Sequence, residues 1–75
     1  MTMDRFRYGE RVRIVDRAHY LHGREGTVIQ VRELDGCGRV RFDRDLPAER
    51  QLVLEGVRFT DQAFVFPAHC DRVRR

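Results

Sequence analysis

The chain has 75 residues, 41% apolar and 36% charged, with a formal net charge of +3. That length allows one domain with a small core and marginal stability. No apolar run approaches the ~20 residues that a membrane helix needs, and Met1 to Tyr8 carries Asp4, Arg5 and Arg7 with no apolar stretch behind it; neither membrane insertion nor a secretory signal is expected.

A cytoplasmic location is the default expectation. The two cysteines, Cys37 and Cys70, are too few for a disulfide framework and read as reduced thiols, with a bond between them left open. All 15 basic residues are Arg, and each offers a planar, permanently charged fork suited to phosphate or carboxylate. The 12 acidic residues are interspersed among them, so the electrostatic bias is mild.

Residues 1–7 are expected to form a flexible arm. Glu10 to Asp16 (ERVRIVD) alternates with period two, placing Val12 and Ile14 on one face and Arg11 and Arg13 on the other, as in a half-buried strand. Gly23 and Gly26 bracket a tight entry to a second strand, Thr27 to Glu33, in which Ile29 and Val31 are expected to face the core. Asp35-Gly36-Cys37-Gly38 is a strong turn signal. Arg39 to Asp43 puts Val40 and Phe42 inward and Arg39 and Arg41 outward. Arg44 to Arg50 reads as a loop; a helical turn there is tolerable but less favoured. Gln51 to Leu54 and Val57 to Phe59 flank Glu55-Gly56 as a hairpin. Ala63 to Phe66 is an apolar strand, Pro67 to Asp71 fits one 3₁₀ turn, and Val73 closes a brief last strand. Most of the five Phe are expected inside, with Tyr8 and Tyr20 the better candidates for exposure. Five or six short strands with no helical periodicity predict an all-β chain, and closure into a small barrel would remove its exposed edges.

The segment Gly9 to Val31, with Gly9, Val12, Ile14, Gly23, Gly26, Val28 and Val31, resembles a KOW motif, found in ribosomal proteins and transcription elongation factors. Tyr20, Gly26-Thr27-Val28 and Val40-Arg41-Phe42-Asp43 are similar to the small photosystem I subunit family. Tyr20-Leu21-His22-Gly23-Arg24 is similar to a loop of the nitrile hydratase β-subunit barrel. These resemblances imply an SH3-like barrel of five or six antiparallel strands with one 3₁₀ turn before the last. They cover about two-thirds of the chain and are specific for fold rather than function. The stretch from Asp43 to Phe59 departs from all of them.

His19, His22, His69, Cys37 and Cys70 are potential metal ligands, but their spacing does not fit paired zinc ligands, and no metal or other cofactor is expected. No nucleophile elbow, P-loop or dinucleotide fingerprint is present, and no catalytic residues are assigned. The expectation is a non-catalytic module. Arg11, Arg13, Arg24, Arg32, Arg39 and Arg41 would contact the phosphates of RNA, DNA or a nucleoprotein such as the ribosome or transcription machinery, and Tyr20 a base or partner. The bland reading of the same arginines is a solvated face paired with neighbouring carboxylates. The alternative function is a protein-docking adaptor, or an accessory subunit of a larger enzyme or electron-transfer complex. A homo-oligomeric enzyme with a pocket on its symmetry axis ranks third.

Overall fold

The computed structural model describes residues 2–74; Met1 and Arg75 lie outside the described residues. Among the described residues seven strands form: β1 (Arg11–Ile14), β2 (Glu25–Val31), β3 (Gly38–Phe42), β4 (Leu52–Leu54), β5 (Val57–Phe59), β6 (Gln62–Val65) and β7 (Cys70–Arg72). Two 3₁₀ turns interrupt them, Ala48–Arg50 before β4 and Pro67–His69 before β7. Five strands make one antiparallel sheet in the order β6-β3-β2-β1-β7, and β4 pairs with β5 as a separate hairpin.

The two edges of the large sheet, β6 and β7, are consecutive in the chain. A flat five-stranded sheet would hold its edges about 19 Å apart. The five residue steps from Val65 to Cys70 span at most about 17 Å extended, and less through a 3₁₀ turn. The sheet is therefore strongly curled, and its concave side holds the core. Val12, Ile14, Val28, Val40 and Cys70 are fully buried there, joined by Phe42, Ala63 and Val65. Leu21 from the β1–β2 loop and Leu46 from the β3–β4 connection cover the open parts.

The N-terminal segment also belongs to this core. Met3 and Phe6 are buried, and the Met3 amide donates to the Cys70 carbonyl at 3.0 Å. The expected arm thus runs along β7 and plugs the sheet. Gly38 is small for this reason, since a Cβ there would collide with the Phe6 ring.

Three expectations are corrected. In β2 the buried residues are Gly26 and Val28, whereas Ile29 is half-buried and Val31 exposed. The register jumps between Val28 and Gln30, so Ile29 is the extra residue of a β-bulge, while Val31, opposite Gly38, is exposed because it ends the strand. Gly26 lies inside β2, not at a bend; its missing Cβ leaves room for β3, whose Arg41 carbonyl would lie 2.5 Å away from such an atom. Of the five Phe, only Phe6 and Phe42 are buried; Phe59 and Phe64 are intermediate and Phe66 is 51% exposed. Phe66 sits where the chain leaves β6 for the 3₁₀ turn, past the last inward position at Val65.

The Glu55-Gly56 hairpin forms with both residues at positive φ, 50° and 79°, the geometry that suits a two-residue turn to twisted strands.

Candidate functional site

The arginines of the convex face come to lie as the alternation requires, on the side of the sheet opposite Val12, Ile14 and Val40. The register sets Arg11, Thr27 and Arg41 in one row across β1, β2 and β3, with Arg13 opposite Glu25 in the next. Carboxylates occupy this face too. Arg11 donates twice to Asp43, both at 2.7 Å, and to Thr27 Oγ1 at 3.2 Å; the Asp43 hydrogen bond holds the Arg11 pKa above its ordinary value. Arg13 donates to Glu25 at 2.6 and 3.0 Å. Arg32 pairs with Asp35 in the β2–β3 turn, and its guanidinium lies 4.4 Å from the Phe64 ring centre. Arg39 donates to Gln62 Oε1 at 2.7 Å and covers Phe59 at 4.5 Å. Arg24 donates to the Asp45 carbonyl at 3.2 Å. Arg41 is exposed and makes no ion pair among the described residues. The face is thus a network of separated Arg–acid pairs, with its charge largely answered from within.

Tyr20 lies elsewhere, in an aromatic strip built from the β1–β2 loop and the second 3₁₀ turn. Its ring, in a residue 53% exposed, stacks on His19 at 4.4 Å. His19 approaches His69 at 5.0 Å, and Phe66 meets His69 edge-on at 6.4 Å. Arg50, from the first 3₁₀ turn, lies 4.0 Å over the Tyr20 ring.

Hydrogen bonds fix the strip. The Val15 and Asp16 amides both donate to the His69 carbonyl, at 2.9 and 3.3 Å. His69 Nδ1 lies 2.6 Å from Asp16 Oδ2, while Asp16 Oδ1 accepts the Ala18 amide at 2.9 Å. The Ala18 amide first, then His69, hold the Asp16 carboxyl below its usual range. His19 Nδ1 accepts the Leu21 amide at 3.0 Å, so this nitrogen carries a lone pair and the neutral ring bears its proton on Nε2. Burial, reinforced by the neighbouring His69, pushes the His19 pKa down in the same sense.

The neighbours of Tyr20 in this strip, His19, His69, Phe66 and Arg50, are not named with it in the binding set expected from sequence. Among the described residues no group of three or more His, Cys, Asp or Glu is arranged to hold a metal ion. Both cysteines are free and buried, and burial pushes the Cys70 thiol up to about 12. Among the described residues no helix is long and apolar enough to cross a membrane.

Two further surfaces stand out. The β4–β5 hairpin exposes Val53, Leu54 and Val57. A cleft between the β1–β2 loop and the β3–β4 connection is lined by Arg24 and Arg44 but also by Glu25, Asp43 and Asp45, so it carries no positive excess. Comparison of the chain with protein-family models, with characterised proteins and with solved structures finds no match.

Proposed function

We propose that the chain is an SH3-like barrel and, more particularly, a non-catalytic KOW-type module that binds single-stranded RNA or DNA, alone or within a nucleoprotein. The curl of the large sheet and the 3₁₀ turn linking its two edge strands support the barrel. One observation carries the function: the half-exposed strip Tyr20–His19–His69–Phe66, with Arg50 over Tyr20. The exposed Phe66 ring and the Arg50 guanidinium that caps Tyr20 are planes on which unpaired bases stack with little sequence preference. The strip is anchored to β1 and β7 by backbone bonds, so it is presented by the rigid sheet. The KOW-like segment Gly9 to Val31 supplies half of it. The arginine network of β1, β2 and β3 takes a secondary place, because Arg11, Arg13 and Arg32 already hold carboxylates.

Binding of a fluorescein-labelled single-stranded 12-mer, titrated at 50 and 200 mM salt, tests this. The wild type is expected to bind with salt-dependent affinity. The Tyr20→Ala/Phe66→Ala variant is expected to weaken binding by about ten-fold or more, since base stacking on an aromatic contributes ~1–3 kcal/mol per base. Absent binding at 50 mM salt, or equal affinity for the variant, would refute the reading.

A second reading, a protein-docking adaptor, is favoured by the exposed aliphatic residues of the β4–β5 hairpin. It predicts a stoichiometric partner that co-purifies with the wild type and is lost from Val53→Asp/Val57→Asp.

A further inference from the structure

The net charge of the chain is +3, and on the convex face Arg11, Arg13 and Arg32 are paired with carboxylates. A second group of arginines lies on another surface. Residues 2–7 run along the free side of β7, tied to it by the Met3–Cys70 hydrogen bond. Between this segment and the end of β7 lies an open cleft of about 670 Å³. Its charged lining consists of Arg5, Arg7, Arg72 and Arg74 against Asp4 and Asp71, a local excess of two positive charges.

Arg72 is held by Glu10. Arg5, Arg7 and Arg74 are exposed and make no ion pair among the described residues. This distinguishes them from Arg11, Arg13 and Arg32. An unpaired guanidinium in a concave, partly shielded setting loses no existing partner when it meets an anion, and its fork matches phosphate oxygens. The cleft and the aromatic strip lie at the two ends of β7. His69 immediately precedes β7 and Arg72 ends it, a separation of about 10 Å along the strand.

We infer that this cleft is a phosphate-binding site in which Arg5, Arg7 and Arg74 grip the backbone of the single strand whose bases stack on Tyr20 and Phe66. The inference rests on the nucleic-acid reading above for the identity of its ligand. It adds a site built from residues near both ends of the chain, in place of the strand arginines.

The test compares three proteins and two probes. The proteins are the wild type, Arg5→Gln/Arg7→Gln/Arg74→Gln, and the control Arg17→Gln/Arg44→Gln/Arg58→Gln, which removes the same charge away from the cleft. The probes are a single-stranded 12-mer and an abasic phosphodiester 12-mer without bases. The cleft variant is expected to bind both probes at least ten-fold more weakly and to lose about 2 from the slope of log affinity against log salt, the change for three single-strand phosphate contacts. The control is expected to change affinity less than three-fold. If the cleft variant and the control weaken equally, or neither weakens, the site is overturned while the base-stacking reading stands. If the wild type binds the two probes equally and only the cleft variant weakens, the site stands and base stacking fails. If the wild type binds neither probe, both fail.

Discussion

Arg11 and Asp43, 32 residues apart in sequence, meet in a two-pronged ion pair with both bonds at 2.7 Å. The pair joins β1 to the residue that follows β3, across β2. It neutralises one of the arginines of the convex face. Both side chains are partly exposed, 35% and 54%, so solvent and salt screen the pair. A double-mutant cycle with Arg11→Ala and Asp43→Ala is expected to give a coupling of about 0.2–1 kcal/mol by urea unfolding. The same Arg11→Ala substitution is expected to alter oligonucleotide affinity less than three-fold; a ten-fold loss would return the convex face to the binding surface.

Phe6 anchors a segment that composition alone assigns to a mobile arm. Its side chain is 4% exposed and packs against Gly38 at the start of β3. Phe6→Ala is expected to cost about 3–5 kcal/mol, the usual range for emptying a buried Phe position. In so small a domain this shows as a large drop in the thermal midpoint, or as loss of the folded state. A change below about 1 kcal/mol would mean that residues 2–7 do not close the core.

His19 gives the stability a pH dependence. Its folded pKa is lowered from 6.5, first by burial and then by His69. The unfolded chain therefore binds more protons on that ring near pH 6. The stability it contributes is complete above the unfolded value and is lost as pH falls through the folded one. Protonating Nδ1 would also oppose the Leu21 amide that it now accepts. Urea unfolding at pH 7.5, 6.5 and 5.5 is expected to show falling stability, with a shallower fall for His19→Gln. Identical slopes for the two proteins would exclude this role. Asp16, whose carboxyl is held low, acts in a separate window, losing its contribution only as pH falls below about 4.

Local pattern made the outline of the fold readable. β1 and β3 alternate as their residues require, with Val12, Ile14, Val40 and Phe42 all buried. The Glu55-Gly56 turn and the Pro67 3₁₀ turn follow from residue types with strong backbone preferences. β2 was misphased because the bulge at Ile29 breaks the period of two, and an apolar run such as Val28-Ile29 does not mark which residue is the extra one. Gly26 looked like a bend, but its role is set by a neighbouring strand that local sequence cannot show. The candidate site was less legible. Arg11 and Arg13 were placed on the correct face, yet their pairing depends on Asp43 and Glu25 arriving from other strands. His19 and His69 are 50 residues apart, and only the pairing of β1 with β7 brings them together.

On the proposed reading, nucleic acid meets the aromatic strip beside β7 rather than the convex arginine face. Chemical-shift mapping of the protein titrated with a single-stranded 12-mer tests it most directly. The account predicts the largest changes at Tyr20, His19, Phe66 and His69, with little at Arg11, Arg13 and Arg39. Changes confined to the convex face, or none at 50 mM salt, would contradict it.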